Sequence, residues 1–160
     1  MHLCILVEDM ASIEQEIKQV KFGNELVKAN INVLFTANWL NNRISAVLKP
    51  FNVTHEQFNV LRILKGSHPN AMCQKDILSR MIAPNSNVTL LIKKLKDKNL
   101  ISVLQSDRDK REYEISIAEQ GLSLLLEIES ILQSKVTDFN QLEESDAKTL
   151  NDLLDKLRGN

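Results

Sequence analysis

The sequence predicts a mostly α fold carrying one small β-hairpin. Three observations lead there. Apolar residues recur at helical spacing through most of the 160 residues, and aromatic residues make up only 4%. The exception is residues 85–117, NSNVTLLIKKLKDKNLISVLQSDRDKREYEISI, where a short basic helix precedes two β-branched stretches around a charged loop. Charge is concentrated on the same region: residues 74–111 carry +5, residues 1–73 carry +1 and residues 112–160 carry −7, within a net charge of −1. A basic helix followed by a basic-tipped hairpin is the layout of a winged helix-turn-helix. Its helix enters the DNA major groove and its wing reaches the flanking backbone or minor groove.

The elements follow in order. Residues 12–48 read as a long helical region, with a break into two pieces open at Gly23-Asn24. Ile13, Ile17 and Val20 start an apolar face that Val27, Ile31, Leu34, Phe35, Trp39 and Leu40 continue, and Pro50 ends it. So much apolar surface on one helix asks for a partner beyond a small domain, and a second copy of the chain is the natural one, a core-packing helix in a monomer being the alternative. Thr54-His55-Glu56-Gln57 is a capping box that opens a helix with Phe58, Leu61, Ile63 and Leu64 inward. Gly66 to Asn70 is a turn cluster. Residues 73–82 form the first helix of the helix-turn-helix, with Ile77, Leu78 and Met81 inward, and Ala83-Pro84-Asn85 is the turn.

The next helix carries Val88, Leu91, Ile92 and Leu95 on one stripe, with Asn85 or Ser86 as its cap. Asn99 stands where the chain must turn left-handed, a conformation Asn tolerates next best after Gly. Residues 101–105 and 111–117 are the strands, and SDRDK is the loop between them. A second long helix, from Ala118 to about Thr137, is apolar over more than one face, and residues 138–144 break it. Ser145 caps a last helix with Leu150, Leu153, Leu154 and Leu157 on one stripe, and Gly159 stops it. No apolar run approaches the roughly 20 residues of a membrane span. HLCILV near the start is too short for a signal-peptide core and is followed by Glu8 and Asp9. Cys4 and Cys73 lack CxxC spacing, which points to a reducing cytoplasm.

These segments resemble the MarR family of bacterial transcriptional regulators. VTHEQFNVLRILKG is similar to that family's helix before the helix-turn-helix, QKDILSRMIAPNSNVTLLIKKLKDKNLI to its paired helices, and SDRDKREYEISIAEQG to its wing and following helix. The family's wing holds an Asp and an Arg two residues later, and Asp109 and Arg111 match. LEESDAKTLNDLLDKL resembles its C-terminal dimerisation helix, so the likeness covers about residues 24–158. Asn99 replaces the family's usual Gly, Ala118 a common Thr, and Leu90 a frequent polar or basic residue. The resemblance implies one MarR-type domain over 1–160. Its dimerisation helices would be at about 12–48 and 118–158, and its DNA-binding lobe at about 54–117. It also implies a cytoplasmic homodimer gripping a pseudo-palindromic double-stranded operator.

Candidate roles follow from side-chain chemistry. Asn85, Ser86, Asn87 and Thr89 are the groove-facing groups, because Asn pairs with adenine edges and small hydroxyls bind phosphate or bases. For Asn85 and Ser86 simple capping is the plainer role. Leu90 either touches a thymine methyl or packs on the adjacent helix, and Lys93 and Lys94 suit phosphates. In the wing, Arg111 offers a planar fork for phosphate or a narrow minor groove. Asp109 is expected to orient it through a salt bridge, and Arg108 and Lys110 are secondary contacts or solvated charges. Phe35 and Trp39 are either core residues or the lining of a pocket for a small apolar or phenolic effector, the ligand type the family takes. Cys73 is either redox-active or a quiet half-buried cysteine. The hydroperoxide-sensing branch of the family carries its cysteine in the first dimerisation helix, and none lies between Ala11 and Val47.

His2, His55 and His68 lack the spacing of a metal site, and no cofactor is expected. The function expected is a homodimeric, sequence-specific transcriptional regulator, a repressor released by a small molecule. A winged-helix protein-interaction module without DNA binding is the alternative, though such a module has no reason to keep Asp109 and Arg111 on a +5 segment. An enzyme is disfavoured: the Ser, His and Asp residues fall in turns and caps, with no Gly-rich phosphate loop.

Overall fold

The computed structural model describes residues 11–83, 87–106, 109–139 and 142–159. The chain divides into two compact units, with the boundary between Arg43 and Ile44.

In the first unit, α1 (Ile13–Glu16) is a single turn. Ser12 opens it with a capping box, its N–H donating to Gln15 Oε1 at 2.7 Å. The turn closes at once. Lys18 adopts a left-handed φ of 55°, and the N–H groups of Lys18 and Gln19 return to the carbonyls of Gln15 and Glu14 at 3.3 and 3.0 Å. That is a Schellman cap with lysine in the left-handed position. The expected face of Ile13, Ile17 and Val20 therefore does not form, and Val20 is 99% exposed. Lys28 and Glu14 pair at 2.6 Å.

The long helix α2 (Glu25–Leu48) begins where Asn24 Oδ1 accepts the N–H of Val27 at 2.9 Å, at the break anticipated around Gly23-Asn24. It crosses from the first unit into the second with its last turn. Leu26, Val27, Leu34 and Leu40 are exposed along it. A 3₁₀ turn (Lys49–Phe51) built on Pro50 follows, ending in a left-handed Asn52.

The second unit holds the core. Helix α3 (His55–Ser67) opens with the expected box, as Thr54 Oγ1 and Gln57 Oε1 accept each other's backbone N–H at 3.3 and 3.2 Å. It buries Phe58, Val60, Leu61 and Leu64. Around it pack α4 (Gln74–Arg80) through Ile77, α5 (Val88–Asp97) through Val88, Ile92 and Leu95, and α6 (Glu119–Phe139) through Leu125 and Ile128. Glu129 on α6 receives Lys65 at 2.5 Å and Arg62 at 3.9 Å from α3.

The hairpin is β1 (Ile101–Gln105) against β2 (Tyr113–Ile117), in the antiparallel register Ile101↔Ile117, Val103↔Ile115 and Gln105↔Tyr113. Met72 adds a one-residue third bridge, exchanging both backbone hydrogen bonds with Ile115 at 2.8 and 2.9 Å. Helix α6 runs through the break expected at Asp138 and ends at Phe139. Helix α7 (Glu144–Arg158) is capped at Glu143 and not at Ser145, a one- to two-residue drift typical of helix ends, and Gly159 closes it left-handed at φ 83°. None of its residues is buried. Among the described residues no helix is long and apolar enough to cross a membrane.

Candidate nucleic-acid interface

The burial of Val88, Ile92 and Leu95 fixes the rotation of α5. A helix turns 100° per residue, so the opposite face carries Leu90, Lys93 and Lys94, with Thr89 and Lys96 on its flank, all exposed. Thr89 and Lys93 are one turn apart, as are Leu90 and Lys94, which sets an apolar and a hydroxyl group ahead of two cations. Leu90 is 39% exposed and lies outside the core cluster. The N-cap of α5 is Asn87, not Asn85 or Ser86 as expected from sequence, and those two lie outside the described residues.

Both ends of the helix-turn-helix are tied down. At the start, Gln74, the first residue of α4, donates from Nε2 to Thr89 Oγ1 at 2.9 Å. Where α4 ends, the N–H of Ile82 donates to Asn59 Oδ1 on α3 at 3.0 Å. At the far end, Asn99 is left-handed at φ 57°, as its position led one to expect. The N–H groups of Asn99 and Leu100 return to Lys96 and Leu95 at 2.8 and 3.0 Å, and Leu95 and Leu100 are both buried. This is a complete Schellman motif with its apolar contact. Lys98, the C-cap, donates to the carbonyl of Asn52 and, at 3.2 Å, to Oε1 of Gln57, which is only 2% exposed. A lysine at the end of α5 is therefore bonded to the turn before α3.

In the wing, Gln105 Nε2 donates to the Lys110 carbonyl at 2.6 Å, and the N–H of Ser106 to the Glu112 carbonyl at 3.0 Å. Asp109 corrects an expectation. Its carboxylate accepts the backbone N–H of Arg111 at 2.9 Å, and the ion pair predicted with the guanidinium is absent among the described residues. The reason is local: an Asp side chain reaches the N–H two residues on and makes an Asx turn, which shapes the loop and leaves the Arg111 side chain exposed. Lys110 is exposed as well, and Arg108 lies outside the described residues.

Phe35 and Trp39 sit one turn apart on α2, each half-buried, and the Arg43 guanidinium lies 4.2 Å from the centre of the Trp39 ring. Cys73 is the half-buried N-cap of α4. Among the described residues no three His, Cys, Asp or Glu side chains gather as a metal ion needs.

Sequence reasoning missed Gln74, Lys98 and Asn52, and read Gln57 only as part of a helix cap. Gln74 and Lys98 could have been flagged by position, since each stands at the end of a helix in the motif. Their partners depend on tertiary packing.

Comparison with known proteins agrees with this geometry. Residues 53–113 match the model of the MarR family. The HTH-type transcriptional regulator MgrA of Staphylococcus aureus is 30% identical over 111 residues, spanning 69% of this chain and 74% of MgrA. SarZ of Staphylococcus epidermidis is 26% identical over 106 residues, spanning 66% of this chain and 70% of SarZ. In fold, a MarR-like transcription regulator from Bacillus cereus superposes with a TM-score of 0.72 at 17% identity, over 82% of this chain and 94% of that one. S. aureus MepR in its complex with DNA superposes at 0.70 and 22% identity, over 81% and 94%. With a relative of this identity and coverage, and with the helix-turn-helix and the first wing strand falling inside the matched segment, the chain belongs to the MarR family of transcriptional regulators.

Proposed function

We propose that the chain is a sequence-specific repressor that binds pseudo-palindromic double-stranded DNA as a homodimer in the cytoplasm. A small apolar or phenolic effector would release it. The observation that carries this reading is α5, with one face in the core and the other presenting Thr89, Leu90, Lys93 and Lys94. Lys93, Lys94, Lys110 and Arg111 then hold phosphates and set the register, while Asn87, Thr89 and Leu90 face base edges. The likeness to the DNA-bound form of MepR supports a duplex as the partner.

The dimer reading rests on α7 and α2. Leu150, Leu153 and Leu157 expose one stripe of α7, with Leu153 57% exposed, and Leu26 and Leu34 do the same on α2. A second copy would cover both, so that the whole chain works as one MarR-type domain. Phe35 and Trp39 are the proposed effector contacts. An effector that favours a dimer with wrongly spaced recognition helices would shift the population away from DNA.

The test is a fluorescence-anisotropy titration on duplex DNA from the upstream region of the chain's own gene. Random DNA serves as competitor, at two salt concentrations. The reading expects binding that survives the competitor and falls steeply with salt. Equal loss to random DNA would remove sequence specificity. No binding at either salt would favour a winged-helix interaction module.

A further inference from the structure

We propose that Gln74 sets the hydrogen-bonding polarity of Thr89, making that hydroxyl a donor to an acceptor atom of duplex DNA. The inference deepens the DNA-binding reading and rests on it. A threonine hydroxyl has one proton and two lone pairs, so by itself it can either give or take a hydrogen bond. Here Nε2 of Gln74 donates to Thr89 Oγ1 at 2.9 Å, across the turn between α4 and α5. A lone pair is thereby occupied, and the proton must point away from the amide. Both residues are exposed, so the proton is directed at whatever meets the start of α5.

The geometry is held from behind. Ile77 of α4 and Val88 of α5 are buried in one core, and Asn59 fixes the end of α4 through the N–H of Ile82. Gln74 and Thr89 therefore stay in register. The acceptors a duplex offers are phosphate oxygens, the N7 atoms of purines, guanine O6 and thymine O4. Adenine N6 and cytosine N4 are donors and can meet only the one lone pair left on Thr89, so the Gln74 hydrogen bond tilts the hydroxyl toward acceptors. Gln74 is thus a positioning residue that acts on specificity through Thr89.

The test is a double-mutant cycle on a duplex selected by the wild-type chain from a random pool, with Gln74→Ala, Thr89→Val and the double variant. Melting temperature is read alongside, and because both side chains are exposed it should not move. Thr89→Val should weaken binding about three- to tenfold, the usual scale of one hydrogen bond. Gln74→Ala should weaken the otherwise wild-type chain and have no effect once Thr89→Val is in place. Scanning base substitutions then separates the two acceptor sources. If the acceptor is on a base, Gln74→Ala and Thr89→Val lose preference at the same base pair. If it is a phosphate, base preference stays and one methylphosphonate substitution abolishes the effect of both. Gln74→Glu supplies the sign. A carboxylate accepts a hydrogen bond from the Thr89 hydroxyl, so base preference at that pair should move from an acceptor toward a donor. Comparing duplexes within one variant cancels the carboxylate's repulsion. Equal effects of Gln74→Ala with and without Thr89→Val would overturn the proposal while leaving DNA binding intact. Failure of the wild type to bind any duplex would overturn the DNA-binding reading, and this proposal with it.

Discussion

Gly121 on α6 lies against the backbone of Leu100: a Cβ at Gly121 would stand 2.1 Å from the Leu100 carbonyl oxygen and 3.0 Å from Cγ1 of Ile117. The same carbonyl accepts the N–H of Ala118 at 3.0 Å. The start of α6 is thus pressed onto the point where α5 hands over to β1. Glycine is needed there for close approach. In an open helix Gly→Ala gains about 1 kcal/mol. Here the contact is with backbone, which cannot swing aside, so Gly121→Ala should lose about 1–3 kcal/mol. Urea denaturation reads the sign, and an unchanged or raised midpoint would mean that α6 does not approach Leu100 so closely.

Thr54 and Glu56 link the cap of α3 to pH. The backbone N–H of Glu56, and after it the Thr54 side chain, stabilise the Glu56 carboxylate and lower its pKa below the ordinary 4.5. The folded chain therefore binds that proton less readily than the unfolded one. The stabilisation is present above the ordinary value and is lost as pH falls below it, through the folded pKa. Thr54→Ala should cost about 1 kcal/mol at neutral pH. It should also raise the Glu56 pKa, which an NMR titration of the carboxyl carbon follows. A Glu56 pKa that stays put would show that the hydroxyl does not reach it.

Lys98 and Lys94 are both lysines of the recognition-helix segment, but they should respond differently to salt. Lys98 is bonded to Asn52 and Gln57, so Lys98→Met should reduce stability by about 1 kcal/mol and leave the salt dependence of DNA binding unchanged. Lys94 is exposed. If it holds a phosphate, Lys94→Met should lower the salt slope by about 1. Matching slopes for the two variants would refute the assignment.

Arg111 and Asn87 should separate positioning from reading. Arg111→Ala is expected to weaken binding to every duplex alike. Asn87→Ala should change the order of preference among duplexes by about 1–3 kcal/mol. The check is a panel of single-base variants of the bound site, and two indistinguishable profiles would count against the division.

Leu153 and Leu157 test the dimer. Both are exposed on α7, and placing charge there should cost little in a monomer. If the stripe faces a second copy, Leu153→Glu with Leu157→Glu should halve the mass measured by light scattering. A dimer of undiminished affinity would move the interface elsewhere.

Much of the fold was legible because its signals are local. The Thr54–Gln57 box, the left-handed Asn99, the buried stripe of α5 and the two strands each depend on residues within a few positions of one another. Helical and strand periodicity, cap chemistry and the +5 segment are properties a one-dimensional reading can hold. Where local rules competed, the reading failed. Ile13, Ile17 and Val20 have helical spacing, yet the chain turns left-handed at Lys18, a residue type that gives no warning of it. Asp109 next to Arg111 suggests opposite charges pairing, yet the nearer backbone N–H captures the carboxylate.

Residue order alone was enough for the succession of elements, the basic recognition segment and the family likeness. The pairings across long separations came only with the packed chain: Gln74 with Thr89, Lys98 with Gln57, Met72 with Ile115, and Gly121 against Leu100. The physical reason is that these contacts carry no period. Each joins single residues from different elements, and their partners are chosen by how α3, α4, α5 and α6 pack around one core.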